Sequence, residues 1–245
     1  MNFYVVMKFW NENDNIREVL LSLKNQVTRI YALDGAFSYF PYKHSKIYNK
    51  PQSTDGSLES ITGLMSEMPE IELISQPHPW PTQIDKMNYG IQQCHAQEED
   101  YIFFMDGHEV MKGDFQKQQR IIEVKEWPIG KVIVYNPKTY PSDYDFTNFH
   151  RKVNGQWRIL RWHPDLKLIK KHWNFNIINT GELDKHIPKN HETCKHIRLV
   201  HMPKNPERDR LRDLYKKAIG PTFHFDERAY VEWRQANNIE DGRLS

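Results

Sequence analysis

At 245 residues the chain is long enough to bury one sizeable core. Its 34 Lys and Arg stand against 32 Asp and Glu, a balance that gives no support to a large nucleic-acid or membrane footprint. Two cysteines, Cys94 and Cys194, exclude a disulfide framework. No apolar run approaches the roughly 20 residues that span a bilayer, and the first residues lack the pattern of a cleaved signal.

The expectation is therefore a cytoplasmic protein with reduced thiols and no integral membrane segment. Residues 3–10 are rich in β-formers and almost uninterrupted, as in a buried first strand. Asn13 or Asp14 can cap a helix that runs to about Asn25, with Ile16, Val19, Leu20 and Leu23 on one face. Residues 29–33 form a second strand ending at Asp34 and Gly35. Strand, helix and strand over this length make a βαβ unit with parallel neighbours. Residues 36–53 hold two prolines, three tyrosines and little periodicity, so they read as an irregular insertion.

A helix is expected to start within Ser53-Thr54-Asp55-Gly56-Ser57 and to carry Leu58, Ile61, Leu64 and Met65. A third strand at 71–75, a proline-rich loop at 76–81 and a helix at 82–94 follow. Then comes a continuous apolar strand, Tyr101 to Met105, which runs into Asp106, Gly107, His108 and Glu109. Strands of this kind present functional groups at their carboxyl ends, where the chain enters the ligand crevice. A carboxylate, an imidazole and a second carboxylate at that point are metal-ligand chemistry.

In the second half, a helix is expected at 116–126, strands at 131–136, 156–162, 166–170 and 195–201, and a charged helix at 207–218. A further helix is expected near 227–236. Eight of the twelve histidines lie in this half. Residues 1–245 read as one α/β domain. It has a parallel half at 1–112, a mixed or antiparallel half at 113–220 and a polar tail at 221–245.

The order of these signals resembles the GT-A fold glycosyltransferases, and the family 2 type in particular. The residues that carry the likeness are Asn11-Glu12 after the first strand, Asp34-Gly35 after the second, Ser53-Thr54-Asp55-Gly56-Ser57, and the acidic motif at Asp106. Asp34-Gly35 and the Ser53–Ser57 segment look like two halves of one family pattern, parted by the insertion. The family's Asp-x-Asp motif is replaced here by Asp106-Gly107-His108, similar to an Asp-x-His variant.

The resemblance implies a mostly parallel sheet flanked by helices and an acceptor-side half that is mixed or antiparallel. It implies an enzyme that moves a sugar from a nucleoside-diphosphate sugar to an acceptor hydroxyl, with inversion, using Mn²⁺ or Mg²⁺. By position it assigns Asp106, His108 and His201 to the metal, with Glu109 as a supporting ligand. Asn11, Glu12, Asp34, Lys86 and Asp106 fall to the nucleotide-sugar, although the family's arginine position beside Lys86 is Met87 here. Glu182 and Asp184 fall to the base that takes the acceptor proton, with Glu192 as an alternative. The acceptor is left open among protein, glycan, lipid and modified nucleic acid. The alternatives are a nucleotidyltransferase of similar fold and a non-catalytic carbohydrate- or nucleic-acid-binding protein.

Overall fold

In the computed structural model, residues 1–38, 40, 42–127, 129–135, 155–164, 166–168, 177–178, 193–202, 206–207 and 210–211 are described. Their elements, in chain order, begin β1 (Phe3–Lys8), α1 (Asn13–Leu21), β2 (Arg29–Leu33), α2 (Ser57–Leu64), β3 (Ile71–Ile74), α3 (Gln83–Gln93) and β4 (Tyr101–Asp106). They continue with β5 (Glu109–Gly113), α4 (Phe115–Lys125), β6 (Ile129–Tyr135), β7 (Gly155–Arg161), β8 (Lys167–Leu168), β9 (Ile177–Ile178) and β10 (Thr193–His201). Eight strands form one sheet in the order β3-β2-β1-β4-β7-β6-β10-β5. The first three pairings, β3 with β2, β2 with β1 and β1 with β4, are parallel. Beyond β4 the sheet is mixed: β7 is antiparallel to both β4 and β6, β10 is parallel to β6, and β5 is antiparallel to β10. A parallel half joined to a mixed half is the architecture the sequence led us to expect.

The continuous apolar character of β1 and β4 has a direct cause. Each strand has neighbours on both sides and helices on both faces, so neither alternate set of side chains meets water. Val5, Met7 and Phe103 pack with Ile16, Val19 and Leu20 of α1, Ile61 and Leu64 of α2, and Phe115 and Ile122 of α4. Val6 and Phe104 pack on the opposite face with Ile84, Met87 and Ile91 of α3. The approach of α3 is close: a Cβ on Gly90 would lie 2.4 Å from Cγ1 of Val6. By the two-residue period of a strand, Lys8 and Asp106 continue the face of Val6 and Phe104.

Several expected boundaries move, each for a local reason. Helix α1 is entered from Glu12 and stops at Leu21, with no side-chain cap bond; Asn25, where it was expected to end, has φ 58°. Helix α2 starts at Ser57 behind Gly56 at φ 94°, because Ser53–Asp55 bond to the β1–α1 turn and are not available to begin a helix. Strand β5 was not expected at all. It has only five residues, Glu-Val-Met-Lys-Gly, and it exists because β10 offers it an antiparallel partner. The strand expected at 166–170 shortens to β8 and pairs with β9 outside the main sheet. Among the described residues, Pro206, Glu207, Arg210 and Leu211 are helical; the remainder of the helix expected at 207–218, and all of that at 227–236, lie outside them. No helix of the described residues is long and apolar enough to cross a membrane. Cys94 and Cys194 are free and buried.

Candidate functional site

The carboxyl ends of β1, β2 and β4 meet along one edge of the sheet, and the loops that follow them are tied together by buried polar contacts. After β2, Asp34 is fully buried. Its carboxylate accepts from the Ser53 amide at 3.1 and 3.2 Å, the Ser53 hydroxyl at 2.6 Å and the Ser75 hydroxyl at 2.8 Å. The two stretches parted by the insertion are thus in direct contact. After β1, Asn11 adopts φ 51° and its side-chain oxygen accepts from Thr54 N–H at 2.8 Å, while its own N–H donates to Ser53 Oγ at 2.7 Å. The amides of Glu12 and Asn13 donate to Ser57 and Asp55.

Lys86 reaches this junction from α3. Its Nζ donates to the carbonyls of Phe9 at 2.9 Å and Gly35 at 2.7 Å, joining the ends of β1 and β2 from below. Burial lowers its pKa from 10.5 to about 7, against the pull of the Asp34 carboxylate. The rings of Phe37 and Trp80, 5.6 and 5.8 Å away, act in the opposite sense and favour the ammonium. In either charge state Lys86 has the two N–H donors that the two carbonyls need.

A second group of ionisable side chains stands at the end of β4. Asp106 pairs with Lys8, its register partner on β1. One residue on, Gly107 N–H donates to the Lys8 carbonyl at 2.8 Å. A Cβ on Gly107 would lie 2.5 Å from that of Phe9, so only glycine lets the two loops approach this closely. His108 is buried, and its Nδ1 lies 3.1 Å from a Glu12 carboxylate oxygen. The His108 and His201 rings are 5.1 Å apart, centroid to centroid. They are brought together by sheet register: His201 ends β10 opposite Glu109 on β5, and Met202 N–H donates to the His108 carbonyl at 2.7 Å.

Glu109 is the hub of this group. One carboxylate oxygen takes Nη2 of Arg158 at 2.6 Å and His201 Nε2 at 3.0 Å, and the other accepts from the Asp106 amide at 2.8 Å. The Glu109 and Arg158 side chains are both 0% exposed. Burial alone pushes the Glu109 carboxyl up, but the Arg158 guanidinium, the His201 hydrogen bond and the charges of both imidazoles outweigh it and hold it near 2. Burial likewise lowers Arg158 to about 10 against the stabilising charge of Glu109.

The structure therefore brings Glu12, Asp106, His108, Glu109 and His201 into one neighbourhood. It sets Asn11, Asp34 and Lys86 at the adjacent junction of β1 and β2, where all three hold main chain. Glu182, Asp184 and Glu192 lie outside the described residues. Two participants were not anticipated from the sequence, Lys8 and Arg158. Lys8 had a signal: it is the one charged residue in the apolar run of 3–10. Arg158 had almost none, since in an alternating strand a single arginine reads as outward-facing.

A family model described as Glycosyl transferase family 2 matches residues 4–202. No curated protein matches the chain. Among solved structures, two of S. aureus TarS 1–349, one of them in complex with UDP, are 15% identical with a TM-score of 0.44, covering 60% of this chain and 40% of theirs. A 4-diphosphocytidyl-2C-methyl-D-erythritol synthase is 12% identical with a TM-score of 0.38, covering 65% of this chain and 75% of its own. The chain thus spans about 40% of the length of the TarS structures it matches.

Proposed function

The chain belongs to glycosyl transferase family 2, and we propose that it transfers a sugar from a nucleoside-diphosphate sugar to an acceptor hydroxyl with inversion. In that reaction the bond from the anomeric carbon to the diphosphate oxygen breaks, and its electron pair leaves on the nucleoside diphosphate. The acceptor oxygen forms the new bond from the opposite side, and its proton passes to a carboxylate. Glu182 and Asp184 are the carboxylates proposed for that proton, with Glu192 as the alternative. The donor lies along the carboxyl ends of β1, β2 and β4. Asn11, Asp34 and Lys86 serve it by fixing the main chain that walls the nucleotide crevice, and Glu12 serves it by holding His108 beside them.

Asp106, His108 and His201 have the donor types that suit Mn²⁺, and Mg²⁺ less well because of the two nitrogens. As arranged, they do not fit an ion. Asp106 is paired with Lys8, His108 is held by Glu12, and His201 is held by Glu109. Among the described residues no three His, Cys, Asp or Glu side chains converge as an ion requires.

The observation that carries the reading is the extent of the family match. It begins in β1 and ends one residue past β10, so it contains every side chain of the cluster. The test is to incubate the protein with a panel of nucleotide-sugars and measure nucleoside diphosphate release, beside a thermal-shift screen of the same compounds. A donor that is turned over should also raise the melting temperature by mass action. No release and no shift with any donor would refute the reading. Release of pyrophosphate from a nucleoside triphosphate would point instead to nucleotidyl transfer.

A further inference from the structure

We infer that Lys8 supplies the positive charge that receives the donor's diphosphate, in the place where a divalent cation was expected. The inference rests on the glycosyl-transfer reading above. Three cationic side chains reach the strand ends described here, and two of them are closed to a ligand. Lys86 is buried beneath the carbonyls of Phe9 and Gly35. Arg158 is sealed against Glu109, both side chains being 0% exposed. Lys8 keeps 12% of its side-chain surface and its partner Asp106 11%, so of the three cations Lys8 is the one that still opens to solvent, beside the more exposed His201 ring at 32%.

The placement has a structural cause. Lys8 is the last residue of β1 and Asp106 the last of β4. They are in register on adjacent parallel strands and share a face of the sheet. An ammonium fixed here stands where the main chain of both strands opens into the crevice.

The charge balance points the same way. Glu12, Asp106 and Glu109 carry three negative charges in this neighbourhood, and Arg158 is committed to one of them. A diphosphate brought beside Asp106 without a cation would meet like charge. Lys8 removes that repulsion, and as the sugar–phosphate bond breaks it stabilises the charge that collects on the departing diphosphate. When the diphosphate arrives, the Asp106 carboxylate competes with it for the ammonium and yields part of that charge, and the two imidazoles keep their carboxylate partners.

The test uses the whole protein and four probes, UDP, GDP, CDP and ADP, titrated calorimetrically in EDTA and again in Mn²⁺. The expected result is that at least one binds in EDTA with an affinity within threefold of that in Mn²⁺. Lys8→Met should then weaken that nucleotide at least tenfold, and Lys8→Arg should recover most of the loss. Asp106→Asn, which removes the competing counter-charge, should tighten binding. Binding that appears only with Mn²⁺, or that is lost in Asp106→Asn, overturns the inference and leaves glycosyl transfer standing. Metal-independent binding that Lys8→Met does not change overturns it as well. If no probe binds in either condition, the glycosyl-transfer reading fails, and the inference fails with it. The comparison of EDTA with Mn²⁺ is made on the unmodified protein, so the outcome does not depend on any variant folding.

Discussion

Glu109 and Arg158 are the most informative place to perturb the fold. Both side chains are sealed from water, and each is the other's counter-charge. Removing one charge from such a pair strands the other in a low-dielectric interior, which typically costs about 3–5 kcal/mol. Glu109→Gln keeps the shape and can still accept from the Asp106 amide, so its cost isolates the uncompensated guanidinium. Arg158→Met leaves the carboxylate with only His201 and the Asp106 amide. At roughly 2–4 °C per kcal/mol for a chain of this size, each single change should lower the melting temperature by about 6–20 °C. The double variant should fall well short of the sum, because neither charge is then left alone.

Urea midpoints at constant slope give the same quantity independently of temperature. The pH dependence supplies a check on sign. Glu109 titrates lower in the folded chain, near 2, than the ordinary 4.5. Its contribution is therefore fully present above pH 4.5 and is lost as the pH falls from there toward 2. The wild-type protein should lose stability across that window more steeply than Glu109→Gln. If both single variants lost less than about 1 kcal/mol, or if the double variant equalled their sum, the pair would not be the buried couple described here.

Three further expectations follow from other sites. Lys86 releases its proton near pH 7 when folded and near 10.5 when unfolded, so its contribution to stability rises with pH across that interval. Lys86→Met should cost about 1–3 kcal/mol by orphaning two carbonyls, and the gap from wild type should widen between pH 7 and pH 9; an equal gap at both would contradict the assignment. Gly113 has φ +115°, and a Cβ there would lie 2.0 Å from the His196 carbonyl oxygen, so Gly113→Ala should destabilise by at least about 2 kcal/mol, read as a urea midpoint. Burial pushes the Cys94 and Cys194 thiols up to about 12, so a thiol reagent at pH 8 should label neither until denaturant is added.

The parallel half of the sheet was legible because its physics is local. Strands buried on both faces must be apolar throughout, and β2 falls on 29–33 as its composition indicates. What the sequence obscured was created by pairing across distance. Strand β5 is too short and too polar to announce itself, and it exists because β10, some 80 residues later, gives it a partner. Arg158 reads as a surface residue until β7 is placed between β4 and β6, where it faces Glu109. The expectation at Asp106 and His108 rests on donor types at a strand end and takes no account of Lys8, which pairs with Asp106 and is the one feature of 3–10 that an apolar pattern does not explain.

The insertion shows how a long interruption can leave a motif intact. The chain departs at Asp34 and returns at Ser53, and those residues are in hydrogen-bond contact. Two residues further into the loop from each end, Ala36 N–H donates to the Pro51 carbonyl at 2.7 Å, so the mouth of the insertion is closed. Trp80 fastens it from the other side: its indole N–H donates to the Asp34 carbonyl at 2.6 Å, and its main chain bridges Phe37. Within the loop, Phe40, Tyr42 and Tyr48 pack edge-on around Trp10 at 5.4 to 6.4 Å, and Leu211 joins them from the later helical stretch. Ser45 adds a polar tie to Glu207 at 2.6 Å. A loop closed at its base and packed on Trp10, two residues past β1, forms a wall beside the strand ends, and its aromatic face ties the first half of the chain to the last. Its length can therefore vary without disturbing Asp34, whereas a change at Trp10 would release the wall and the helical stretch together.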